Sequence, residues 1–289
     1  MDQLQRACDV YGANAADARL LHSRSNAIYL LPHEQIVVRL APATSLRQQR
    51  AATVIEVTRW LATQPNPTAL SPTPGNQPIT TDAAVATFWP YRPTGITVSP
   101  TDLGQLLKKL HQQPTPPFAI PPYRPLHRLR EALLIDGERT EPILASHDAQ
   151  WLADQADRLI EQFTGMDTPL GTGLVHADVH AENVILDAGR WLLIDFDHVC
   201  TGPRELDLVS GLPDHFQEPE ARRAMFLAAY GQDLTSWPGW TVFRDITELH
   251  SLSAYVRLAS TSSAARHELH KRIRSLRTGD RTISWQSIS

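Results

Sequence analysis

Fourteen of the 22 prolines in this 289-residue chain fall between Thr63 and Pro125. A proline ring fixes φ and removes a backbone donor, so segments such as QPNPTALSPTPGNQP and TPPFAIPPYRP cannot run as long helices or central strands and read as connectors. No internal repeat or low-complexity tract is visible, which argues against a solenoid. Length alone allows one large domain or two lobes of roughly 100 to 200 residues.

Ahead of the connectors, two apolar runs, Ile28 to Leu31 and Ile36 to Leu40, flank Pro32-His33-Glu34-Gln35 and predict a β-hairpin with a four-residue turn. Strand alternation places Val37 and Arg39 on one face. Ser45 followed by Gln48 is a capping-box signal for a helix running to about Thr63 and stopped by Pro65, with Glu56 its only acid. Ala83 to Trp89 reads as a strand, and Ser99-Pro100-Thr101-Asp102 supplies an N-cap, a first-turn proline and an acid for the helix LGQLLKKLH. Beyond His127 the periodicity turns helical over Leu126 to Ile135, Gln150 to Phe163, Pro219 to Tyr230, and Thr241 to Leu276 with a break near Ser260.

One stretch interrupts the helical part. In GLVHADVHAENVILDAGRWLLIDFDHV the apolar runs Val184 to Leu186 and Trp191 to Ile194 flank Asp187-Ala188-Gly189-Arg190, predicting a tight hairpin that brings Asn183 and Asp195 side by side at its open end. Asp178 lies five residues before Asn183 on the entering loop. Few, hard oxygen donors of this kind suit Mg²⁺ held together with substrate phosphates, and a further carboxylate nearby can orient a hydroxyl nucleophile.

The segments His176-Ala177-Asp178-Val179-His180-Ala181-Glu182-Asn183 and Ile194-Asp195-Phe196-Asp197 resemble the H-G-D-x-H-x-x-N and I-D-[FW]-[DE] signatures of the aminoglycoside phosphotransferase family, relatives of choline and homoserine kinases. The resemblance implies an α+β, two-lobe protein-kinase-like fold. Residues 1–91 would form a small β-rich nucleotide-binding lobe with a hinge at about 88–91, and 92–289 a larger, mainly helical catalytic and acceptor-binding lobe. It implies Asp178 as the catalytic aspartate and Asn183 and Asp195 as Mg²⁺ ligands. Arg39 stands where the family has a phosphate-binding lysine, with Glu56 as its helix partner. Ser25 and Asn26, in a glycine-poor loop, would approach the triphosphate of ATP or GTP, and Trp89 and Tyr91 would form the hinge beside the base. His176 and His180 would brace the loop, and Asp207, in GPRELDL, would support it from behind. Asp197 reads equally as a second metal-side carboxylate or a turn residue. Arg39 and Glu56 could also be an ordinary surface ion pair.

Composition narrows the classes further. The net charge of −4, with 42% hydrophobic and 20% charged residues, is that of an ordinary globular chain and gives no electrostatic footprint for nucleic acid. No apolar run is long enough to span a bilayer and the N-terminus lacks a signal-peptide core, so a cytoplasmic protein, monomer or homodimer, without membrane partners is expected. Cys8 and Cys200 form no CxxC pair, and neither a disulfide framework nor a structural zinc site is expected. Residues 198–289 carry 10 acids against 11 basic residues, so no bulk acidic excess marks the partner, a small-molecule hydroxyl acceptor, as a polycationic aminoglycoside. Sugars, amino sugars, amino alcohols and other antibiotics fit equally. Two further readings stand beside the kinase: a catalytically silent nucleotide-binding protein, and a metal-dependent hydrolase using His176, Asp178 and His180.

Overall fold

The computed structural model describes residues 2–23, 26–93, 95–211 and 219–286. They make an α+β chain with two compact units, 1–121 with 180–199 and 122–179 with 200–289. These units are drawn differently from the 1–91 and 92–289 division expected from sequence, because a helix after the first sheet and the central hairpin both group with the N-terminal residues.

Unit 1 begins with α1 (Asp2–Tyr11) and an antiparallel sheet of β1 (Arg19–Ser23), β2 (Ala27–Leu31), β3 (Ile36–Pro42), β4 (Ile79–Thr80) and β5 (Ala84–Pro90) in the order β1-β2-β3-β5-β4. The β2–β3 hairpin closes with Leu31 opposite Ile36, at the predicted four-residue turn. Leu4, Ala7 and Cys8 of α1 pack with Leu31, Val38, Ala86 and Phe88 of the sheet, and the Tyr11 ring stacks on Phe88 at 3.9 Å. The helix α2 (Ser45–Thr63) buries Val54, Ile55, Val57, Thr58 and Leu61. Its N-cap is Thr44 rather than Ser45: the Thr44 hydroxyl accepts from the Arg47 N–H, so the capping signal is displaced by one residue. The helix α3 (Pro100–His111) starts as predicted, with Ser99 accepting from the Asp102 N–H and Pro100 in the first turn.

Unit 2 takes up the chain with α4 (His127–Gly137), α5 (Ser146–Phe163) and β6 (Thr172–Val175). The hairpin of β7 (Val184–Asp187) and β8 (Arg190–Leu193) returns to unit 1, and β9 (Cys200–Pro203), α6 (Glu205–Ser210), α7 (Glu220–Tyr230), α8 (Trp240–Leu258) and α9 (Ser263–Thr278) complete unit 2. Its core joins Leu129, Leu152, Ala156, Leu159, Ile246, Leu249, Leu252, Val256 and Leu269. On α5 the buried Leu152, Ala156 and Leu159 fall four and three residues apart, one stripe of a 3.6-residue period. The predicted break near Ser260 separates α8 from α9, whose N-cap Ser262 accepts from the Ala265 N–H. β6 pairs antiparallel with β9, two strands without a recognisable strand pattern in the sequence. Among the described residues no helix is long and apolar enough to cross a membrane.

Because Thr44 holds the cap, Thr44→Ala should lower unfolding free energy by about 1 kcal/mol and Ser45→Ala should leave it nearly unchanged in urea denaturation.

Candidate active site

The β7–β8 hairpin runs in register from Val184 opposite Leu193 to Asp187 opposite Arg190. Its turn is therefore the two residues Ala188 and Gly189, the tight hairpin expected, and both have positive φ, 46° and 77°. Such a turn matches the right-handed twist of the strands it joins, which offsets the cost of placing an alanine in the left-handed region. The hairpin is fixed along β8 by Leu193 N–H donating to Thr68 O at 2.8 Å and Leu70 N–H to Leu193 O at 3.1 Å. Ile185 and Leu192 pack with Leu70 and Trp89, and Arg92 pairs with Asp187 near the turn.

At the open end Ile194 N–H donates to Asn183 O at 2.9 Å, so Asn183 and Asp195 flank the last backbone bond of the ladder. Asn183 is buried, and its amide nitrogen donates to His180 Nε2 at 2.9 Å, which fixes the carboxamide and leaves that ring nitrogen as acceptor. Asp195 has φ 60°, a conformation that aspartate tolerates better than most residues and that recurs at functional sites.

Arg39 projects from the middle of β3, where it stands opposite Ile28 on β2 and Thr87 on β5. Its Nη1 donates to Asp195 Oδ1 at 2.9 Å and its Nη2 to Asp197 Oδ2, the closer contact of the two. Burial works against the charge on Arg39, but the carboxylates of Asp195 and Asp197 outweigh it and raise the guanidinium above its ordinary, already high value. Glu56 does not take the partner's place. It is exposed, because Val54, Ile55, Val57 and Thr58 claim the other side of α2 for the core.

The remaining nucleotide-side candidates are Ser25, Asn26, Trp89 and Tyr91. Ser25 lies outside the described residues. Asn26 Oδ1 accepts from Arg47 Nη1 at 2.6 Å. Trp89 is partly buried and its indole donates to Thr87 Oγ1 at 2.9 Å, while Tyr91 N–H donates to Gln35 O at 2.7 Å and closes the end of the sheet.

In unit 2, Asp207 is fully buried on α6 and accepts two backbone N–H groups, from His176 at 2.8 Å and Ala177 at 2.6 Å. It thus holds the loop leading to Asp178, including Ala177 at φ 61°, where the family signature has glycine. His176 is fully buried. Asp178 is half-buried and lies in electrostatic reach of His250 on α8, a residue without any local sequence signal. Burial pushes the His250 imidazole down to about 4, helped by Arg128, His127 and Arg257 and opposed by Asp178.

Asn183 and Asp195 offer the hard oxygen donors that suit Mg²⁺, and the guanidinium on Asp195 shows that this carboxylate accepts a cation. Among the described residues no group of three or more His, Cys, Asp or Glu side chains is placed to hold a metal ion, which is what the hydrolase reading of His176, Asp178 and His180 requires.

A profile of the phosphotransferase enzyme family matches residues 17–245. A homoserine kinase of Neisseria meningitidis serogroup B is 31% identical over 98 residues, 32% of this chain and 31% of that protein, so the chain spans about a third of the curated relative it matches. Among solved structures, an amicoumacin kinase in complex with AMP-PNP, Ca²⁺ and Ami superposes with TM-score 0.73 at 13% identity, covering 96% of this chain and 93% of that one. A microcompartment-associated aminopropanol kinase superposes with TM-score 0.65 at 18% identity over 98% and 99% of the two chains. These structures share the kinase-like fold with this chain.

The depressed His250 gives a pH signature. Below its ordinary value of 6.5 the unfolded chain takes up a proton that the folded chain refuses, so this contribution to stability is complete above pH 6.5 and is lost as pH falls towards 4. Replacing His250 by Gln should flatten the decline in unfolding free energy measured by urea titration across that window.

Proposed function

We propose, from the premise that the chain belongs to the phosphotransferase enzyme family, that it transfers the γ-phosphoryl group of ATP or GTP to a hydroxyl of a small molecule. The observation that carries this reading is the hairpin end, where a fixed carboxamide, Asn183, and a carboxylate already engaged by a cation, Asp195, flank the same backbone bond. These two residues would hold Mg²⁺, which when bound neutralises charge on the phosphate oxygens. His180 keeps the Asn183 carboxamide from rotating. Arg39 offers a planar fork of donors to phosphate oxygens, in place of the point charge of a lysine. Asp178 accepts a hydrogen bond from the acceptor hydroxyl, aligns it for in-line attack and takes its proton. Asp207 keeps the backbone before Asp178 from shifting, and such positioning counts heavily in a reaction where the protein forms no covalent bond.

The acceptor is a small molecule that bears a hydroxyl: an aminoglycoside or other antibiotic, a sugar or amino sugar, or an amino alcohol.

The test is nucleotide diphosphate release from ATP and from GTP across a panel of hydroxylated antibiotics, sugars, amino alcohols and hydroxy acids. Asp178→Asn should lower kcat by about 10²- to 10⁴-fold with nucleotide affinity kept, since it removes hydroxyl orientation alone. Asp195→Ala should instead weaken Mg²⁺-dependent nucleotide binding, read by calorimetry. Full turnover by Asp178→Asn would remove that residue from the mechanism.

A further inference from the structure

Arg39 is held by two carboxylates through two different nitrogens, Nη1 on Asp195 and Nη2 on Asp197. Its side chain is 18% exposed, against 43% for Asp195 and 29% for Asp197, so the contact with Asp197 is the more sheltered. A lysine would bring all its donors to both carboxylates from one nitrogen, whereas a guanidinium presents them on separate nitrogens along a rigid edge, so one contact can open while the other holds. The exposed Glu56 is not available for the task. The two contacts differ in what else they serve. Asp195 is the carboxylate that the proposed function gives to the divalent cation; Asp197 sits two residues on, past the buried Phe196. A divalent cation on Asp195 would repel the guanidinium bound to Oδ1 of the same carboxylate and weaken that arm, while the arm on Asp197 would not be contested.

We propose that Asp197 is the positioning residue of Arg39, and that the other arm of Arg39 is a resident counter-ion for Asp195 which a divalent cation displaces. This rests on Asp195 being a metal ligand, as the proposed function has it, and adds that metal entry frees one edge of the guanidinium for phosphate while Asp197 keeps the side chain in place. Asp197 then acts through Arg39 and not as a further ligand.

Titration with Mn²⁺ alone, without nucleotide, reads this exchange by electron paramagnetic resonance of the free ion. Arg39→Met should tighten Mn²⁺ binding about tenfold by removing the competing charge. Asp197→Asn should weaken it a few-fold in the native background, where Arg39 then leans wholly on Asp195, and should have a smaller effect in the Arg39→Met background. Arg39→Gln serves in the same way if the methionine variant does not fold, with thermal unfolding as the check. Unchanged or weaker Mn²⁺ binding on loss of the guanidinium overturns the counter-ion, and an Asp197→Asn effect of equal size in both backgrounds overturns the positioning role. Failure of the underlying reading looks different: Asp195→Asn would then leave Mn²⁺ affinity unaltered in the Arg39→Met protein.

Discussion

A single guanidinium ties the chemistry of unit 1 to its fold. Arg39 is carried by the middle of a five-stranded sheet, and its two arms reach residues 156 and 158 positions further along the chain, just beyond the β7–β8 hairpin. The charge is costly to bury and is kept only because two carboxylates repay the lost hydration. Those carboxylates are in place because the hairpin is: its ladder, the bonds to Thr68 and Leu70, and the packing of Ile185 and Leu192 set where residues 194 and beyond emerge. The left-handed backbone at Asp195 is then a local strain supported by a well-determined surround.

Unit 2 solves a parallel problem with a buried anion. Asp207 is out of water altogether, and two backbone N–H groups of the loop entering Asp178 satisfy it. The same carboxylate makes its neighbours harder to ionise: burial and then Asp207 push the Cys200 thiol up to about 12, which leaves it inert as a nucleophile near neutral pH. The brace is therefore a buried carboxylate bonded to the loop backbone, and the loop takes its position from it.

Much of the fold is legible in the sequence because it is written in local signals. The β2–β3 hairpin, the end of α2 before Pro65, the start of α3 and the break between α8 and α9 all follow from turn chemistry, capping and periodicity in short windows. What escapes lacks such signals. The strand β1, RLLHS, is exposed along its whole length and shows no alternation, and β6 and β9, TGLV and CTGP, read as turns until they find each other across the unit. The tight β7–β8 hairpin is anticipated from its flanking apolar runs, but Ala188 gives no warning of its positive φ. At the site, the spacing of Asp178, Asn183 and Asp195 carries the resemblance, whereas the partners of Arg39 and the approach of His250 to Asp178 depend on contacts far apart in sequence. Glu56, the helix glutamate expected from the family pattern, is exposed because the core takes the opposite face of α2.

The family places this chain among phosphotransferases, and the decisive chemical question is where the phosphoryl group ends. Phosphorus NMR of a reaction with ATP, Mg²⁺ and an accepted hydroxyl compound reads that destination directly. Transfer to the hydroxyl aligned by Asp178 predicts a phosphomonoester resonance on the acceptor growing in step with ADP. Inorganic phosphate growing in its place, with the acceptor unmodified, would contradict it.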